Sequence, residues 1–141
     1  MVLQGPNGIR RLASCCDIGK SEFSGAVYHA NYLKFCERGR SDCLRLLDIH
    51  HHEMHRHETG ERMGFVVRRM ACEFLRPARI DDLLEVETRF RGMGGARLEL
   101  AQKVVRQGEV LFEADVTVVL VDAAGRPRRF PKAMAETLKA F

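Results

Sequence analysis

At 141 residues, 45% hydrophobic and 30% charged, the chain has the size of one domain that buries its own core without metal or disulfide staples. A net charge of +4 and a pI near 9.0 suit an anionic small molecule but are too mild to argue for nucleic acid. The absence of Trp, with only two Tyr, counts against a base-stacking platform as well. Five cysteines, an odd and scattered set, read as reduced, buried small hydrophobes and not as a disulfide framework. No apolar run reaches membrane-spanning length and MVLQGPNGIRR lacks the apolar core of a secretion signal, so a cytoplasmic location is expected.

In chain order, Ile9 to Cys16 reads as a short edge strand. The organising stretch follows, from Glu22 to Leu47. A small-residue turn at Ser24-Gly25-Ala26 leads into the box Tyr28-His29-Ala30-Asn31 and then into one amphipathic helix over 31–47. Lys34, Glu37, Arg38, Ser41, Asp42, Arg45 and Asp48 form its wet stripe. Cys36, Gly39 and Cys43 put small residues on its buried side, where a sheet can approach closely. Asn31 is the candidate N-cap. DIHHHEMHRHETGERMG reads as a polar loop.

From Gly64 the period changes to two. Phe65 to Leu75 is ragged and ends at Pro77 and Asp81-Asp82. Leu84, Val86, Thr88 and Phe90 alternate with charged residues up to the turn Gly92-Met93-Gly94-Gly95. Ala96 to Val104 alternates in the same way up to Gln107-Gly108, and Val110 to Leu120 forms the last long strand. Short connections predict an antiparallel meander of four consecutive strands. Its apolar face needs a cover, which the one long helix supplies. The expected class is α+β, a curved antiparallel sheet over one helix, as a single domain over 1–141 with 1–8 and 132–141 peripheral. The basic, Pro-interrupted tail from Arg126 is expected to end in a short helix.

A helix start carries the positive end of the backbone dipole, and the small residues before it let a ligand oxygen come close. Such a place can polarise a carbonyl and hold an oxyanion. Glu22, seven residues before His29, can supply a carboxylate to the same point as general base or nucleophile. That constellation is compatible with acyl hydrolysis. On the residues alone the plainer reading, Glu22 as a solvated loop carboxylate and His29 as a partly buried helix-start histidine, is favoured over it.

GAVYHANYLKFCERGRSDCLRLL resembles the signature of the YbgC-like branch of the hotdog-fold acyl-CoA thioesterases, in the 4-hydroxybenzoyl-CoA thioesterase superfamily. The likeness continues through FVVRRMACEFLRPARIDDLLEVET and GEVLFEADVTVVLVDAAGRPRRFP, roughly residues 10 to 131. It implies the hotdog fold, in which the sheet wraps the helix, and hydrolysis of a short-chain, medium-chain or aromatic acyl-CoA. It implies a homodimer joined at sheet edges, often paired again into a tetramer, with sites at the dimer interface and no metal or other cofactor. His29 matches the family histidine, whose backbone N–H polarises the thioester oxygen. Val27, Tyr28 and Asn31 are expected beside it at the oxyanion and substrate. Phe65, Val66 and Val67 match the segment that lines the acyl pocket from the opposite subunit.

The family acid is Asp, seven residues before the histidine, where this chain has Glu22. The Tyr four residues before that acid is Ile18 here, so DIGKSEFSG departs from the family pattern in the loop that carries the chemistry. An alternative is therefore a hotdog protein that binds acyl-CoA or acyl-carrier protein without turning it over. Arg68, Arg69, Arg76, Arg79 and Arg126, Arg128 and Arg129 are candidates for the CoA phosphates. His50, His51, His52, His55 and His57 with Glu53 could take up a transition metal adventitiously. Their spacing is not that of a zinc hydrolase, and no metal is assigned to them.

Overall fold

The computed structural model describes residues 2–4, 10–15, 29–46, 63–79 and 81–139. Its elements are β1 (Val2–Gln4), β2 (Arg10–Cys15), α1 (Ala30–Leu46), β3 (Met63–Phe74), β4 (Leu83–Gly94), β5 (Arg97–Arg106), β6 (Glu109–Asp122) and α2 (Lys132–Lys139). The six strands make one antiparallel sheet in the order β1-β2-β4-β5-β6-β3. Its inner face receives α1, giving the sheet-around-helix arrangement expected of a hotdog fold.

The helix forms where the 3.6 period is cleanest. Tyr32, Phe35, Cys36 and Cys43 are buried, while Lys34, Glu37 and Arg38 are exposed. Gly39 faces β4 so closely that a Cβ there would lie 2.8 Å from Cγ1 of Val86. The small-residue stripe is thus the seam of helix on sheet. His29, not Asn31, caps this helix: Tyr32 N donates to the His29 carbonyl at 3.2 Å, and Asn31 lies inside the first turn, buried. Tyr32 is fixed by its own packing, which draws the chain into helical geometry before Asn31.

The meander holds only for β4-β5-β6. Gln107 and Gly108 both have positive φ, 49° and 82°, as a two-residue type I′ hairpin turn requires. The first of the four expected strands, β3, does not pair with β4 but crosses to the far side of β6. The reason lies in the connector. Crossing three strand spacings takes about 14 Å, and residues 75–82 between the two strands can reach about 26 Å. Leu75 N and Arg76 N both donate to the Leu111 carbonyl, at 2.9 and 3.1 Å. Ala78 N then donates to the Tyr32 hydroxyl at 2.8 Å. The link therefore passes beneath the start of α1 on its way across the sheet.

β2 is not the edge strand expected over 9–16. It lies between β4 and the three-residue β1, a strand too short to show a period. The C-terminal residues, expected to be peripheral, include α2, whose Leu138 is 3% exposed and belongs to the core cluster, next to Phe90, Met93 and Leu98.

Candidate active site

His29 stands exposed at the start of α1, with its ring edge-on to Phe74 at 6.1 Å. Behind it is an aromatic stack. Tyr32 lies flat on Phe112 (5.3 Å, 12°), and Phe74 meets both rings edge-on, at 5.8 Å from Tyr32 and 5.1 Å from Phe112. Period-two spacing on β3 and β6 aims Phe74 and Phe112 inward, and their register as direct partners places them side by side. The helix start is thus held by rigid rings while Phe74 itself stays 51% exposed. Glu22, Val27 and Tyr28 lie outside the described residues, as do His50, His51, His52, His55 and His57.

Farther along the helix is a cavity of about 150 Å³ between α1 and the sheet. Phe65, Phe90, Leu98, Leu100 and Val118 supply its apolar wall, and Glu37, Arg40 and Ser41 a polar side. Of the expected acyl-pocket residues, Phe65 and Val67 line this cavity and Val66 does not. The structure does not bring them to His29 within one chain. Eight residues of helix, about 12 Å at 1.5 Å per residue, separate His29 from Glu37.

One wall of the cavity rests on a buried polar network. Gln102, 1% exposed, donates to the Cys36 carbonyl and to Thr88 Oγ1, both at 2.9 Å, and accepts from Arg40 at 2.8 Å. The bonds to Cys36 and Arg40 fix β5 against the helix, and the bond to Thr88 ties β5 to β4. Burial pushes the Cys36 thiol up to about 12, so it is a neutral packing group with no claim to nucleophilic chemistry.

Arg40 was missed in the sequence, yet it stands four residues after Cys36 and three before Cys43. That spacing sets it on the buried side. Of the arginines considered for CoA, Arg76 pairs with Glu109, and Arg126 and Arg128 pair with Asp122. Arg68 and Arg69 are exposed on β3. Among the described residues no group of His, Cys, Asp or Glu is placed to hold a metal ion. Among the described residues no helix is long and apolar enough to cross a membrane.

Residues 24–113 match the Thioesterase superfamily. The chain belongs to that family. It is a thioester hydrolase with the hotdog fold. It is 40% identical over 121 residues to the acyl-CoA thioester hydrolase YbgC of Escherichia coli, covering 84% of this chain and 87% of that protein. A probable thioesterase from Bartonella henselae superposes with a TM-score of 0.83 at 38% identity, covering 87% of this chain and 99% of that one. A Thermus thermophilus thioesterase solved with coenzyme A and Zn gives a TM-score of 0.78 at 26% identity, covering 92% of each chain.

Proposed function

We infer that this thioester hydrolase cleaves short-chain, medium-chain or aromatic acyl-CoA thioesters to the free acid and CoA, in the cytoplasm and without a cofactor. The observation that carries the reading is the exposed His29 on a rigidly propped helix start. There the dipole and the His29 N–H favour an oxyanion on the thioester carbonyl. Glu22 acts as base or nucleophile. As base, it takes a proton from water as the oxygen bonds to the carbonyl carbon, and returns it to the CoA sulfur as the C–S bond breaks. The His29 side chain positions the thioester, with Val27, Tyr28 and Asn31 around it. Arg68 and Arg69, which make no ion pair with another described residue, are available to the CoA phosphates.

The chain acts as a homodimer, able to pair again into a tetramer. β3 ends the sheet with Val66 and Val67 47% and 46% exposed, and an edge strand's unpaired backbone groups are a template for pairing. Antiparallel pairing of two β3 strands about their midpoint sets residues 63–67 of one protomer beside 70–74 of its partner. Phe65 and Val67 then approach the His29 of the other chain, which accounts for their separation within one chain.

The test is CoA release from a panel of acyl-CoAs with EDTA present. Chelator-insensitive turnover of at least one thioester is expected. Binding without turnover would favour the second reading, a non-catalytic acyl-CoA or acyl-carrier-protein binder, for which the altered loop DIGKSEFSG is the specific observation.

A further inference from the structure

The cavity between α1 and the sheet has a chemistry of its own. Its wall is apolar, yet Arg40 stands half-buried on it. Among the described residues Arg40 makes one hydrogen bond, from Nη1 to Gln102 Oε1 at 2.8 Å, and no ion pair. A guanidinium has five N–H donors, so most of this one's capacity is unused beside an apolar space. Loss of solvation pulls Arg40 below its ordinary value. Cys36 and Glu37 offset that loss only in part, and an incoming anion would offset more of the cost of a half-buried cation. Glu37, on the same rim, is exposed, and water screens its charge. Ser41 adds a hydroxyl one turn along. The space of about 150 Å³ is of the size that takes one benzene molecule, hence a body of about six carbon atoms.

We propose that this cavity binds a carboxylate carried on a short apolar body of about six carbons, with the Arg40 guanidinium as its anion receptor. The carboxylate docks on the free guanidinium edge, and the body lies against Phe65, Leu98 and Leu100. Two sources share that chemistry. One is a free carboxylic acid, the class of product a thioesterase releases. The other is the distal carboxylate of a dicarboxylic acyl thioester, which rests on the thioesterase reading above.

The test is calorimetric titration of the full-length protein with hexanoate and with its neutral isostere hexanamide. The wild type should bind hexanoate about tenfold more tightly or better, the effect of one charge-assisted hydrogen bond. Arg40→Gln, which retains an amide donor for Gln102, should erase the difference. Ser41→Leu, which keeps the guanidinium and fills the cavity, should weaken both ligands, with melting curves confirming that each variant is folded. Equal affinities in the wild type, a preference that survives Arg40→Gln, or full binding by Ser41→Leu would each overturn the proposal.

The sources separate on CoA release. An Arg40-dependent preference of about tenfold in kcat/KM for adipoyl-CoA over hexanoyl-CoA assigns the carboxylate to the acyl group. Hexanoate binding without that preference assigns it to the free acid. The binding arm needs no turnover, so its failure is distinct from failure of the thioesterase reading.

Discussion

Replacing Gly39 by Ala sets two effects of opposite sign against each other. In an unobstructed helix interior the change stabilises by about 1 kcal/mol. Here the new methyl would lie 2.8 Å from Val86 Cγ1 and 3.4 Å from Thr88 Oγ1. Val86 is 1% exposed and β-branched, so its methyl does not swing aside without leaving a preferred rotamer. Overpacking of this kind costs about 1–3 kcal/mol. The balance is a loss of about 1 kcal/mol, or about 3 °C in Tm for a domain of this size. Urea and thermal unfolding at fixed protein concentration read both. Val86→Ala in the Gly39→Ala background removes the obstructing methyl, so the double-mutant cycle should show favourable coupling of about 1 kcal/mol. A Gly39→Ala protein more stable than the wild type by about 1 kcal/mol would show that the helix does not touch the sheet there.

Three other perturbations follow from the same contacts. Tyr32→Phe strips the acceptor from the buried Ala78 N–H, bonded at 2.8 Å, and should cost about 1–3 kcal/mol with faster amide exchange at Ala78; an unchanged exchange rate would contradict that bond. Asp122 accepts from Arg126 N, Arg128 Nε and Ala124 N, and these bonds hold its carboxyl below the ordinary range despite some desolvation. The stability gained is therefore fully present above about pH 4, the unfolded value, and is lost as pH falls toward the folded one. Asp122→Asn should be less stable than the wild type at neutral pH, with the gap closing in acid; a gap independent of pH would refute the linkage. Cys36, raised by burial to about 12, should resist iodoacetamide at pH 8 until the chain unfolds, and rapid labelling of the native protein would place it elsewhere.

How much of this was legible beforehand depended on whether a feature is local. The helix over Ala30–Leu46 follows from one period of apolar residues, and Gly39 on its seam from a spacing of three and four. The Gln107-Gly108 turn follows from two residues suited to positive φ. The place of β3 beyond β6 is not local. Period-two patterning says that a strand is half-buried and does not say beside which neighbour. The eight residues after Phe74 can reach any of several edges, and Tyr32 catching Ala78 selects one. The cavity was hidden for a related reason. An arginine on a helix is ordinarily solvated, and only Gln102, 62 residues away in sequence, reveals that Arg40 turns inward. The chemistry of the helix start came from the likeness of YHANY to a known signature, since a histidine after a small-residue turn has no unique chemical meaning by itself.

The central claim is that Glu22 and the helix start at His29 together hydrolyse a thioester. The most direct measurement is CoA release by the wild type and by Glu22→Gln, side by side on the best acyl-CoA of the panel. The substitution keeps the size of the side chain and removes its charge. Loss of a general base costs about 10²–10⁴-fold, and kcat should fall by that much while acyl-CoA still binds. Turnover that persists in Glu22→Gln would contradict the assignment and move the base to another residue.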